Sequence, residues 1–364
     1  MTLSLYIARR FLWMFTRVTG AFMGILMLID VIDQMRRNSG TGHGIGDALY
    51  MAMLNVPETL YRILPLLMIL SSIALFLGLA RSSELVVVRA AGRSGLRFLV
   101  APVGAALAIG LLAVAVLNPL VAATSKEYDR LSSERGGGGS ILSLSAEGLW
   151  MRQGSEDGQT VIHADLASPD GELLRGVTFY LFDAEGRPAG RIDAETARLT
   201  PGAWAMTNAK RWDFTAANPE MAATVQEDGL SLPTDLTADR IRQGFGTPSA
   251  IAFWDLPGYI GDLEQAGFSA RSYRVWMQME LALPLLLGTM VLLAAGFTMR
   301  HARFGKTGQM VLLALAGGFL LFFLRNFAQV LGENGQIPVA VAAWSPPAAA
   351  FLLSLTLLLH LEDG

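Results

Sequence analysis

The chain has 364 residues, 52% hydrophobic and 16% charged, with a formal net charge of −3 and no cysteine. Disulfide cross-links are therefore excluded, and stability must come from a packed core or from partners. The mean hydropathy of +0.42 hides two populations: a middle third of ordinary soluble-domain sequence and flanks that are nearly free of charge.

About 20 apolar residues suffice to cross a bilayer, and they must do so as a helix because the backbone has to satisfy its own hydrogen bonds there. Six stretches qualify: 11–33, 57–80, 97–119, 274–299, 308–331 and 337–360. The first is too long for a removable signal peptide and lacks a small-residue cleavage site, so it is read as a retained helix. It runs into Asp30-Val31-Ile32-Asp33-Gln34-Met35-Arg36-Arg37 and a Gly-rich turn at Asn38–Gly46. That run reads equally as a solvated helix end or as a polar entrance at the outer leaflet, since ionisable groups near a span are costly unless they face protein or water. The second stretch carries Pro57 and Pro65, and a kink is expected there.

Between the second and third stretches lies Ser82–Ser94. Read as a short interfacial helix, it has Ser83 as N-cap, Glu84 and Arg89 as polar positions, Leu85–Val88 as an apolar run and Gly92 as a stop. Two readings stand side by side. The helix inserts its apolar face into a groove of a partner, or it merely connects two spans along the membrane surface.

After the third stretch, Gly136-Gly137-Gly138-Gly139-Ser140 reads as a flexible joint. Short runs with partial alternation follow: Val161–Ala164, Gly176–Phe182 and Arg191–Leu199. Turn signals separate them at Glu156-Asp157-Gly158, Pro169-Asp170-Gly171, Glu185-Gly186-Arg187-Pro188 and Pro201-Gly202. This spacing predicts an all-β sandwich or jelly roll. Residues 121–270 hold 12 Lys/Arg against 22 Asp/Glu, an acidic balance that disfavours nucleic acid. Residues 233–270, with Pro233, Pro248 and Pro257, read as a connector with a short helix around Ile260–Ala266. The fourth stretch carries Glu280 and Pro284, and the fifth carries Arg325-Asn326. Arg325 reads as the partner of an acid on another helix, with Asp30 or Asp33 at a similar level, or as a direct ligand contact.

Basic residues in short loops set orientation. Arg9, Arg10 and Arg17 flank the first helix, Arg81, Arg89, Arg93 and Arg97 lie between helices two and three, and Arg300, Arg303 and Lys306 between four and five. The opposite side has Arg36 and Arg37 alone in its short loops. Both termini are expected in the cytoplasm. The layout is then residues 1–119 with three spans and a coupling helix at about 82–94, an outer β-domain with its connector at 120–272, and three more spans at 273–364. The fold class expected is an α-helical polytopic membrane protein, three helices plus three, with an inserted all-β domain.

Catalytic patterns are weak. Gly305-Lys306-Thr307 ends like a phosphate loop, but the glycine required five residues earlier is Arg300, and no strand precedes it. The four histidines, His43, His163, His301 and His360, are dispersed, so no metal site is expected. The chain is not expected to be an enzyme or to hold a cofactor.

The segment Ser83-Glu84-Leu85-Val86-Val87-Val88-Arg89-Ala90-Ala91-Gly92 resembles the Ser-Glu-Leu-Val-x-x-x-Ala-x-Gly coupling segment of the lipopolysaccharide export permeases, the LptF/LptG (YjgP/YjgQ) family. Val31–Arg37 after helix one, Glu147-Gly148-Leu149-Trp150 and Gly335-Gln336-Ile337-Pro338 resemble the family in the same order. The Asp-Gln and Gly-Leu-Trp matches are more similar to the LptG branch, with the LptF paralogue as the alternative. The resemblance implies an inner-membrane permease paired with an LptF-type permease, two copies of an LptB-type ATPase that binds ATP and Mg, and a single-span LptC-type protein. It implies that the β-domain is a periplasmic jelly roll. Ser83, Glu84, Leu85, Val88, Arg89, Ala90 and Gly92 would couple to the ATPase. Arg36, Arg37, Arg62, Lys126, Arg130, Arg135 and Arg325 would hold lipopolysaccharide, whose phosphates favour charge-assisted contacts. Asp30 and Glu58 depart from the basic character expected there, and Arg62 and Arg325 are the expected compensation unless the lipid carries fewer phosphates. A membrane-anchored assembly or sensor protein that binds a periplasmic partner without moving substrate is the reading from a different class.

Overall fold

The computed structural model describes every residue except 1, 38–43, 83, 85–93, 137–141, 146–147, 156–157, 169–171, 217, 219, 221–222, 235, 238–246, 266–267, 300–306 and 363–364. The flexible joint, the Pro169–Gly171 turn and the Arg300–Lys306 loop therefore lie wholly or largely outside the described residues. The chain forms two compact units, residues 1–128, 251–254 and 271–364 in one, and 129–250 and 255–270 in the other.

The first unit opens with α1 (Thr2–Arg37), 36 residues without interruption. At 1.5 Å per residue it spans about 54 Å, so both ends extend beyond a hydrocarbon core of about 30 Å. The second apolar stretch is two helices, α2 (Ile45–Arg62) and α3 (Leu64–Arg81). The break falls at Ile63 because Pro65 has no N–H and crowds the carbonyl of Tyr61; Ile63 O instead accepts from Leu66 N at 2.9 Å and Leu67 N at 3.0 Å. The third stretch is α4 (Gly95–Leu112), a single π-helical segment Ala113–Leu117, and α5 (Asn118–Gly136). Ser94 Oγ caps α4 by accepting from Arg97 N at 3.3 Å. After the second unit come α7 (Arg271–Thr298), α8 (Thr307–Glu333) and α9 (Val339–Glu362); α6 (Leu256–Gln265), the short connector helix, belongs to the second unit. Among the described residues six segments are long and apolar enough to cross a membrane: Leu3–Arg36, Leu64–Arg81, Gly95–Ser132, Arg271–Thr298, Gly308–Glu333 and Val339–His360.

The core of this unit gathers Phe11 from α1, Met68, Ile69 and Phe76 from α3, Leu99 and Ala106 from α4, and Leu286, Leu287, Met290 and Val291 from α7. Close helix approach rests on small residues: a Cβ added to Gly110 would lie 2.5 Å from Pro284 Cα, and one on Gly332 would lie 2.6 Å from Ala342 Cβ. Opposite faces stay apolar and open, with Leu28, Ile29 and Ile32 exposed on α1 and Leu320, Phe323 and Phe327 on α8. These faces suit lipid or another membrane helix.

The second unit holds one antiparallel sheet in chain order: β1 (Leu142–Ser145), β2 (Gly148–Ser155), β3 (Gly158–Ala167), β4 (Leu173–Asp183), β5 (Pro188–Thr200), β6 (Ala203–Asp213) and β7 (Thr224–Pro233). The three predicted runs fall in β3, β4 and β5, and neighbours in the sequence are neighbours in the sheet. Gly186 at φ +80° and Gly202 at φ +82° occupy the tight turns where a left-handed backbone is required. Alternation buries one face: Leu149, Met151, Ile162, Ala164, Val177, Phe179, Ile192, Ala194, Trp204 and Met206. The opposite face carries a cross-strand series in which Arg191 lies over Tyr180 and Trp212, and Trp150 packs on His163.

Candidate functional site: three polar clusters along the helices

Polar side chains inside an apolar bundle are the informative residues, and three groups stand out. The first lies near the start of α1 and the end of α3. Arg10 Nη1 donates to Glu84 Oε1 at 2.6 Å and Oε2 at 2.7 Å. Ser82 Oγ donates to Oε1 at 2.8 Å, and Tyr6 OH donates to Oε2 at 3.4 Å while accepting from Arg10 at 2.9 Å. The Arg10 hydrogen bond, helped by Ser82, holds the Glu84 carboxyl below the usual carboxylate range against the opposing effect of burial. Of the predicted coupling residues, Glu84 is described; Ser83, Leu85, Val88, Arg89, Ala90 and Gly92 lie outside the described residues.

The second group lies at the far end of α1. Asn55 of α2 donates to Asp30 Oδ1 at 2.8 Å, and Arg36 pairs with Asp33 at 3.2 Å. Gln34, buried, donates to Tyr128 OH of α5 at 2.9 Å. Arg62 pairs with Glu58 at 2.9 Å, and Ser125 Oγ donates to the other Glu58 oxygen at 2.9 Å. Beside these contacts a cavity of about 330 Å³ is lined by Ile29, Asp30, Asp33 and Arg36 of α1 and Val56 and Thr59 of α2. Among the predicted lipid-binding cations, Arg36 lines it. Arg62 is exposed and engaged with Glu58, and Lys126 and Arg130 are exposed on α5. Arg37 and Arg135 lie in α1 and α5, with side chains outside the described set.

The third group is interior. Tyr61, the residue before the break-point pair Arg62-Ile63, donates its hydroxyl to the buried Glu280 of α7. Arg325 of α8 interacts electrostatically with Glu280 and Tyr61. Asn118, at the end of the π-helical segment, is buried against the same pair and accepts from Phe253 N at 2.8 Å. Trp254 Nε1 donates to Ala115 O at 3.2 Å, occupying a carbonyl in the irregular turn. Arg325 of α8 thus lies within the electrostatic reach of Glu280 on α7, whereas Asp30 bonds to Asn55 and Asp33 to Arg36.

Sequence reasoning identified the Glu280, Arg325 and Asp30 positions as unusual but missed Tyr61, Asn118, Asn55 and Tyr6, whose residue types are unexceptional near helix ends. Arg10 was read for its contribution to orientation alone. Among the described residues no group of three or more His, Asp or Glu could hold a metal ion.

Six membrane-crossing candidates among the described residues, with a β-domain between the third and fourth, define a multi-pass membrane protein. The sequence model of the lipopolysaccharide export system permease LptF/LptG matches residues 5–360. The chain belongs to that family. It is similar to the lipopolysaccharide export system permease protein LptG of Escherichia coli strain K12, 27% identical over 355 residues that cover 95% of this chain and 96% of the relative. The LptG protein of Haemophilus influenzae is 22% identical over 344 residues, 92% of this chain and 91% of the relative.

Proposed function

We propose that this permease is the LptG-type half of a heterodimer with an LptF-type permease, in the bacterial inner membrane, with both termini cytoplasmic and the sheet domain in the periplasm as a jelly roll. Two copies of an LptB-type ATPase bind ATP and Mg and act on the 82–94 segment. The pair extracts lipopolysaccharide from the outer leaflet and passes it to a bridge of periplasmic jelly rolls that includes an LptC-type protein. The observation that carries the reading is the family match over residues 5–360.

Lipopolysaccharide enters at the cavity beside Asp30, Asp33 and Arg36. Arg36, Arg37, Lys126, Arg130 and Arg135 meet the anionic headgroup, since guanidinium and ammonium groups hold phosphate by charge-assisted bonds. Arg62 and Arg325 act through neutralisation: the first faces Glu58 and the second Glu280, so each offsets an acid that would repel the lipid. Hydrolysis itself belongs to the partner, and the moving helices supply this chain's part.

The test is purification of the native complex with mass spectrometry of its companion chains and bound lipid. A soluble ATPase, a second permease and lipopolysaccharide are expected, and Arg89→Glu releases the ATPase. Replacing Arg36 and Arg37 together by Ala lowers substrate-stimulated ATP hydrolysis. Recovery of a periplasmic partner without ATPase or lipid refutes the transporter reading.

A further inference from the structure

The contact between Glu84 and Arg10 joins residues 74 positions apart in the chain, and nothing in the packing of the core requires it. Arg10 and Glu84 side chains keep 31% and 34% of their exposure. Exposed pairs of this kind are weak singly, yet here both carboxylate oxygens are engaged, by Arg10, Tyr6 and Ser82, two of the three donors lying one turn apart on α1. Such a multiply bonded carboxylate is oriented as well as attracted. Arg9, the neighbouring cation, is exposed, so the contact is not a general property of basic residues at this end.

We propose that Arg10 is a positioning residue of the coupling machinery: it ties Glu84 to α1, so that α1 carries a displacement arriving at Glu84 to the cavity at its other end. This rests on the reading of the chain as an ATPase-driven permease and adds a route within it. Three helices lead away from the segment's neighbourhood. α3 meets the break at Ile63 before the chain reaches the cavity residues Val56 and Thr59 of α2. α4 runs into the π-helical turn at Ala113–Leu117. α1 is helical throughout from the Glu84 contact to Asp33 and Arg36, which line the cavity. Breaks and π turns are where helices bend, so an uninterrupted rod transmits axial and lateral displacement with the least loss.

The experiment uses the full complex in proteoliposomes loaded with lipopolysaccharide, comparing the unsubstituted chain with Arg10→Glu, Arg10→Lys and Arg9→Glu. Retained ATPase, ATP hydrolysis and lipid released per ATP are measured together. Arg10→Glu is expected to keep the ATPase and its hydrolysis while lipid released per ATP falls about fivefold, the size of effect a small charge network can exert. Arg10→Lys restores most of the ratio, and Arg9→Glu leaves it unchanged. Because the chain has no cysteine, spin labels at Leu5→Cys and Arg81→Cys report the tie directly. Their separation is expected to stay constant between nucleotide-free and vanadate-trapped complexes, and to change between those states in Arg10→Glu.

Equal lipid-to-ATP ratios in Arg10→Glu and Arg9→Glu overturn the proposal, as does a label separation that changes through the cycle in the unsubstituted complex. Loss of the ATPase from Arg10→Glu also overturns it, because Arg10 then belongs to the partner interface. Failure of the unsubstituted complex to release lipid refutes the permease reading itself, a separate result from any difference among variants.

Discussion

Glu84 and Glu280 are both acids in a protein with few charges near its spans, yet their surroundings give them different duties. Glu84 is oriented by donors at a half-exposed helix end. Its folded-state value lies below the ordinary one, so the stabilisation from its ionised form is complete above the ordinary carboxylate range and is lost as pH falls through the lowered value. Between about pH 8 and about pH 6, the distance between α1 and Arg81 is therefore expected to be constant in spin-label measurements. Glu280 is buried at 1% exposure and accepts from the Tyr61 hydroxyl, so truncating it leaves a buried donor without its acceptor. Glu280→Ala is expected to lower stability by about 3 kcal/mol in thermal unfolding in detergent, with Glu280→Gln milder because the amide still accepts from Tyr61. In the sheet, Trp204 is fully buried and meets Phe179 edge-on at 6.3 Å. Trp204→Ala should cost about 3–5 kcal/mol, and Trp204→Phe much less, since the indole N–H has no hydrogen-bond partner to lose.

The helices that cross the membrane were legible because hydropathy alone marks 20 apolar residues. What lay beyond that signal was not. α2 begins at Ile45, a dozen residues before the apolar stretch read from position 57, because Asp47, Asn55 and Glu58 dilute its hydropathy while its buried face, Ala48, Met51, Ala52 and Val56, still packs. The proline pair did announce an irregularity, and the break at Ile63 follows from Pro65. The π turn has no comparable sign, since Ala113–Leu117 would be equally content in an α-helix; its stabilising contacts come from Phe253 and Trp254, more than a hundred residues away. β3, β4 and β5 are legible in their β-branched and aromatic runs, whereas β6, with Ala203, Ala205, Ala209 and Asn208 along it, is not. Close helix contacts yield a paired prediction. Gly110→Ala puts a Cβ against Pro284 and should cost about 1–3 kcal/mol, whereas Gly104→Ala, with nothing within 4 Å, is neutral or stabilising by up to about 1 kcal/mol. Thermal unfolding of both variants decides it.

For the whole molecule, the same absence of cysteine that rules out cross-links gives a clean background for topology. A single cysteine at Ser4 should be labelled only from the cytoplasmic side of intact cells' inner membrane, and one at Ala184, in the turn between β4 and β5, only from the periplasmic side. Labelling of both from one side would overturn the orientation drawn from loop arginines. The sheet has a further consequence for how such a chain is made. Because the backbone ladder of every strand runs only to strands adjacent in the sequence, the sheet can form hairpin by hairpin, whereas the contacts of Gln153 in β2 with Pro233 and Thr234 at the end of β7 close it across the whole domain. The early hairpins can thus exist before the last strand is made, but the finished sheet waits for residues 80 positions downstream of Gln153 to arrive.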